Sequence, residues 1–182
     1  LYSFKVYEKG ELVRDYIPAT REGIVGLYDK KNGGFVFDTR YPVGSGDHAL
    51  VASGELPAYE GTDAYVESDG TSAMNARVRA TDDVRVEVDF AFMDTKTTQQ
   101  RIVGADGRPC FYIDGTNTFT FACGANVAIT PTAQVADKYR HTVVIDYQNK
   151  KMALYSGPTL NFSRDITTKE LVSETPMPFA LF

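Results

Sequence analysis

The 182-residue chain has no tryptophan, only two histidines and only two cysteines. Metal centres and nucleophilic triads need His, Cys and acidic side chains in close groups, so this supply leaves little for either. Basic residues do not outnumber acidic ones: 19 Lys and Arg stand against 24 Asp and Glu, for a net charge of −5. Binding to phosphate backbones calls for a basic footprint, which argues against DNA or RNA as a partner. No apolar run nears the roughly 20 residues of a membrane-spanning helix. The chain opens on Leu1-Tyr2-Ser3-Phe4, with neither a basic stretch nor an apolar leader. It closes on Pro176-Met177-Pro178-Phe179-Ala180-Leu181-Phe182. Both ends read as strand, and the chain is expected to be a piece of something longer.

What is present is a globular composition, 43% apolar, with 11 Tyr and 11 Phe to fill a core. The length suits one domain. Alternation with a period of two recurs between turn signals. Phe4 to Tyr7 and Leu12 to Ile17 flank Lys9-Gly10, which suits a two-residue hairpin turn. Ile24 to Asp29 and Phe35 to Phe37 flank Lys30 to Gly34. Val84 to Phe92 is the clearest strand, with Val84, Val86, Val88, Phe90 and Phe92 on one face and Arg85, Glu87, Asp89 and Ala91 on the other. Cys110 to Ile113 with Thr118 to Cys123, and His141 to Tyr147 with Met152 to Tyr155, read as two more hairpins. Residues 40–61 are rich in Gly and Pro and read as a long connection. Only Thr167 to Ser173 carries a helical signal, and it is short. Many short strands at this spacing predict an all-β sandwich or barrel.

Several blocks carry a resemblance: Leu1 to Tyr7, Gly10 to Pro18, Gly26-Leu27-Tyr28-Asp29 with Asn32-Gly33, Ala64 to Gly70, Arg85 to Phe92, and Arg140 to Asp146. Together they resemble the laminin-G-like, concanavalin-A-like domains of large bacterial secreted or surface proteins. The resemblance implies a two-sheet antiparallel β-sandwich of the jelly-roll kind. The order is unusual, because the blocks that close such a domain come first here. The chain is then a circular permutant or a slice across tandem repeats. In both cases residues 1–182 make one sandwich, with residues 1–45 supplying the closing strands and neighbouring repeats as partners.

Glu87-Val88-Asp89 is the sharpest chemical hint. It is similar to the Glu-x-Asp-x-x-Glu of laminarinase-type glycosidases on this fold, where two carboxyls act as nucleophile and acid/base. Here the third position is Phe92, so no catalytic residue is assigned. The alternative is a solvated strand face with Arg85 beside the two acids, and Arg85, Glu87 and Asp89 are the candidate ligand-binding residues. Glu87 and Asp89 are also similar to the Glu-x-Asp of metal-dependent legume lectins, which leaves room for a structural calcium aided by Asp69, Asp82, Asp83 or Asp94. No other cofactor is expected. His48 and His141 have no Ser or Cys motif beside them. Two cysteines in a secreted chain would ordinarily bridge. If Phe111 and Ile113 face Phe119 and Phe121, however, Cys110 and Cys123 fall on different faces as thiols. Tyr7, Tyr16, Tyr28, Tyr112, Tyr147 and Tyr155 could stack on sugars or fill the core.

The resemblance implies a non-catalytic binding or adhesion module, for a carbohydrate or protein ligand, in a secreted or cell-surface protein. The alternatives are a glycoside hydrolase on the same fold and a structural spacer repeat without a ligand.

Overall fold

A computed structural model describes residues 1–21, 24–36, 74–91, 100–104, 110–113, 118–123, 127–129, 140–167 and 178–181. The described residues form strands and turns without a helix. Among them no helix is long and apolar enough to cross a membrane. The strands are β1 (Ser3–Glu8), β2 (Glu11–Arg21), β3 (Ile24–Asp29), β4 (Gly34–Val36), β5 (Met74–Arg79), β6 (Val84–Phe90) and β7 (Gln100–Gly104). They continue as β8 (Cys110–Ile113), β9 (Phe119–Cys123), β10 (Val127–Ile129), β11 (His141–Asp146), β12 (Lys151–Ser156), β13 (Thr159–Asp165) and β14 (Pro178–Leu181). Residues 40–61, Phe37, Phe92 and the segment expected to be helical after Thr167 lie outside the described residues.

Every pairing among the described residues is antiparallel. One sheet runs β13-β12-β11-β6-β1-β2-β3-β4 and the other β10-β9-β8-β7-β14-β5. Strand β1 lies between β6 and β2, deep inside the larger sheet. Its register sets Phe4 opposite Val88 and Val6 opposite Val86 on one side, and Phe4 opposite Tyr16 on the other.

Local chemistry sets the turns. Lys9 and Gly10 both have positive φ, 51° and 82°. Two such central residues define the type I′ turn, whose twist matches that of the strands it joins. The loops Lys30–Gly33 and Tyr147–Lys150 share a different design. Each follows an Asp, carries Asn third and ends on a residue with positive φ, Gly33 at 72° and Lys150 at 53°. In the first loop Asp29 Oδ1 accepts from Lys31 N at 3.0 Å and Oδ2 from Asn32 Nδ2 at 2.8 Å. In the second, Asp146 Oδ1 accepts from Asn149 N at 2.8 Å and Oδ2 from Asn149 Nδ2 at 2.9 Å. Asp29 does more. It is only 3% exposed, accepts from Asp15 N at 3.1 Å and lies 3.6 Å from Arg14 Nε. One carboxylate thus ties the β3–β4 turn to the middle of β2.

Both sheets contribute to one core. Phe4, Val6, Val84, Val86, Val88, Phe90, Val143, Ile145, Met152 and Leu154 of the larger sheet pack with Phe111, Ile113, Phe119, Phe121, Phe179 and Leu181 of the smaller one. Without tryptophan, the contact between sheets is made largely by phenylalanine rings. Phe4 meets Phe179 edge-on at 6.4 Å, Phe90 meets Phe119 edge-on at 5.7 Å, and Phe162 stacks on Phe121 at 5.4 Å. Such geometries suit the ring quadrupole. Tyr16 stacks on Phe4 and donates its hydroxyl to Ala76 O at 3.0 Å. The arrangement is a β-sandwich-like pair of antiparallel sheets.

A smaller apolar cluster lies on the opposite face of β2–β4, where Ala19, Tyr28 and Phe35 are buried with Ile17 against them. Its floor is Gly26. A Cβ there would stand 2.5 Å from Val36 O and 2.9 Å from the Phe35 ring.

Two substitutions test this frame. Val88 is fully buried in the middle of β6, so Val88→Asp should cost about 3 kcal/mol or more, since the site offers a charge no water. Thermal unfolding should fall by about 10 °C for a chain of this size, and a midpoint near wild type would refute the placement. Asp29→Ala leaves the amides of Asp15 and Lys31 without their acceptor. It should cost about 2–3 kcal/mol in urea titrations.

Candidate functional site

Strand β6 alternates throughout: Val84, Val86, Val88 and Phe90 enter the core, while Arg85, Glu87 and Asp89 reach the outer face. The outward residues of the flanking strands meet them in register. Ser3, Lys5 and Tyr7 of β1 lie opposite Asp89, Glu87 and Arg85, and Thr142, Val144 and Asp146 of β11 lie opposite the same three. Three strands distant in sequence therefore build one half-exposed polar patch.

Asp89 is the more heavily held acid. Ser3 Oγ donates to its Oδ2 at 3.2 Å, Thr142 Oγ1 donates to its Oδ1, and Arg140 donates to Oδ2 at 2.8 Å. The Arg140 guanidinium also lies over the Tyr2 ring, 4.6 Å from its centroid. Glu87 accepts from Arg85 on Oε1 and from the Tyr7 hydroxyl on Oε2 at 3.4 Å. Arg85 reaches towards Asp146, with Nε 3.9 Å from Oδ2, and covers the Tyr7 ring at 5.1 Å. The patch thus repeats one unit twice, a carboxylate paired with a guanidinium that stacks on a tyrosine. Arg85 and Arg140 are 38% and 57% exposed, and the two carboxylates 23%.

This geometry limits the chemistry. Acid/base hydrolysis needs two carboxyls facing a substrate across a short gap. Here Glu87 and Asp89 stand two residues apart on one strand, and each is already engaged by protein donors. Phe92, the position of the third acid in the glycosidase pattern, lies outside the described residues. A calcium ion would need six to eight oxygens. Two guanidinium groups beside these carboxylates oppose a cation there. Asp82 and Asp83 are exposed in the turn before β6, and Asp69 and Asp94 lie outside the described residues. Among the described residues no three His, Cys, Asp or Glu side chains gather as a metal-ligand set.

The remaining candidates divide by burial. Tyr16 and Tyr147 are core residues, Tyr147 stacking on Phe179 at 5.9 Å, and Tyr28 belongs to the smaller apolar cluster. These three offer no sugar-stacking face. Tyr7, Tyr112 and Tyr155 are half-buried, and Arg85 covers Tyr7. His141 is buried, its ring 5.0 Å from that of Phe119, and its Nδ1 shares a hydrogen bond of 2.9 Å with Ser156 Oγ. His48 lies outside the described residues. Phe111 pairs with Phe121 and Ile113 with Phe119, which sets Cys110 opposite Ala122 and position 123 one step beyond. Cys110 is a buried thiol.

Reading β6 alone finds Arg85, Glu87 and Asp89 but misses the residues that occupy them: Ser3, Tyr7, Arg140 and Thr142. It also misses the pairing role of Asp29 and Asp146. The signal for the last two was present, because Asp-x-x-Asn stands at both four-residue loops.

Over the described residues, fold and site together define an all-β arrangement of two antiparallel sheets, with a polar, internally paired face on the larger one. Comparison with protein-family models, curated proteins and solved structures gives no match.

Burial pushes the Tyr7 phenol above its ordinary value of 10.0; the Glu87 charge adds to the rise, and Arg85 acts against it. A raised folded-state pKa gives stability that is fully present below the unfolded value and lost as pH rises through the folded one. Wild type should therefore lose unfolding free energy more steeply than Tyr7→Phe above about pH 10. Urea titrations across that range should show the two slopes diverging, and parallel slopes would discount the contact.

Proposed function

We propose that the chain is a non-catalytic binding or adhesion module of a larger bacterial extracellular protein, secreted or held at the cell surface. The proposed architecture is the jelly-roll, concanavalin-A-like sandwich of laminin-G-like domains, with β1–β4 as its closing strands. The observation that supports a non-catalytic reading is the pairing of Glu87 and Asp89 with Arg85, Tyr7, Ser3, Thr142 and Arg140. A general acid or nucleophile has to be available to substrate, and these carboxylates are engaged in holding three strands together.

The same patch suits recognition of a polyhydroxylated ligand or a polar protein surface. Carboxylate oxygens accept, guanidinium groups donate, and cross-strand pairing fixes both in place. Arg140 and Tyr2 form its most accessible unit. The ligand class proposed is carbohydrate, with a protein ligand as the variant of the same reading. A second reading, a structural spacer repeat without a ligand, is favoured by the mutual satisfaction of these charges, which leaves the face stable when bare.

A glycan array probed with calcium and with chelator separates these readings, alongside reducing-sugar release from a β-glucan. The binding reading expects retention on one glycan class, weakened at least about fivefold by Arg140→Ala, which removes an exposed donor at little cost to stability. It also expects no sugar release. Steady release abolished by Glu87→Gln would establish a hydrolase. A folded protein retained by no glycan and no extracellular protein would be a spacer.

A further inference from the structure

We infer that Asn32-Gly33 is a latent deamidation site, locked by the folded β3–β4 turn and released when that turn opens. Asparagine followed by glycine is the dipeptide most prone to this reaction, because no Cβ on the following residue hinders attack by its amide nitrogen. The step forms a bond from Gly33 N to Asn32 Cγ and breaks the bond from Cγ to Nδ2. Ammonia leaves, carrying away the proton lost from Gly33 N. Water then opens the succinimide ring, leaving aspartate or isoaspartate at position 32.

The fold engages each group that this reaction needs. Gly33 N donates to Asp29 O at 2.8 Å, so the attacking nitrogen holds its proton in a hydrogen bond. Asn32 Nδ2 donates to Val13 O at 2.7 Å and to Asp29 Oδ2 at 2.8 Å. Both amide protons are thereby engaged and Cγ is pinned. Cyclisation would have to break these contacts together, which requires local opening of the hairpin. Loss of the same contacts would keep the turn from re-forming once the reaction has occurred. A carboxylate at position 32 would meet Val13 O and the Asp29 carboxylate with no proton to donate. Like charges at that distance repel, and the turn could not close again as before.

Asn149 supplies an internal control. Its Nδ2 is held by Asp146 in the same manner, but Lys150 follows it and brings a Cβ. The test incubates the whole chain at mildly alkaline pH, in buffer and in urea, and reads aspartate and isoaspartate at both positions by peptide mass spectrometry. In urea Asn32 should convert at least about tenfold faster than in buffer, in proportion to the protection lost on opening. In urea it should also outpace Asn149. Asp29→Ala should raise the Asn32 rate in buffer. Equal Asn32 rates in buffer and urea would overturn the lock, and this comparison needs no variant. An unchanged rate in a folded Asp29→Ala chain would overturn the assignment to Asp29. Hydrogen exchange at the Gly33 amide supplies the independent measure, because its protection should match the slowing of deamidation in buffer.

Discussion

Strand β1 is hydrogen-bonded along both edges, to β6 on one side and β2 on the other, while its Phe4 and Val6 enter the core between the sheets. The rest of the larger sheet depends on that double engagement. Without β1, the β2–β4 unit would lose its connection to β6, and two long rows of backbone donors and acceptors would face water. The pairing is also what brings Ser3 and Tyr7 to the two carboxylates of β6. Fold and surface chemistry therefore rest on the same few residues. Ser3–Glu8 closes the sheet with its backbone, fills the core with one set of side chains and donates hydroxyls to the acids of the outer face with the other.

That outer face has an internal economy of charge. Of the two acids of β6, Glu87 receives a guanidinium and one hydroxyl and Asp89 a guanidinium and two, and each guanidinium lies on a tyrosine ring. In partly exposed positions such pairs add modestly to stability. Their larger effect is on order, because they fix long side chains that would otherwise sample many rotamers. A face made rigid in this way loses little entropy when a ligand settles on it. It also has little need of one, and for that reason the binding and spacer readings share the same geometry.

Much of this was legible in the sequence where a strand is buried on one face only. The unbroken alternation of Val84 to Phe90 announced both its core side and its polar side, and Lys9-Gly10 announced its turn. Strands with a shorter or interrupted alternation were harder to read. β13 sits at the end of the larger sheet, with Leu160 52% exposed, and its alternation rests on two apolar residues, Leu160 and Phe162, before the polar Ser-Arg-Asp. β7 is interrupted by a register shift between Arg101 and Val103, which breaks the count. β5 does alternate, as Met-Asn-Ala-Arg-Val-Arg, but over only six residues and with the small Ala76 at its centre, which makes a weaker signal than the Val and Phe of β6. The partners of Glu87 and Asp89 were hidden for a different reason. Apart from Arg85, they lie more than 50 residues away in sequence, and the order β11-β6-β1 is a property of the whole sheet rather than of any segment.

The glycine beneath Phe35 carries a consequence for how this chain tolerates change. Along most of the outer face, side chains point towards solvent or one another, and many amino acids would serve. At position 26 a single added carbon meets a backbone carbonyl, which cannot turn aside as a side chain can. The alphabet there contracts to one letter, although Gly26 lies in a regular strand and has no positive φ. A library randomised over β3 and selected only for folding would return glycine at this site. A reader of that alignment, seeing the invariance without the ring above it, would mistake a matter of clearance for a matter of function.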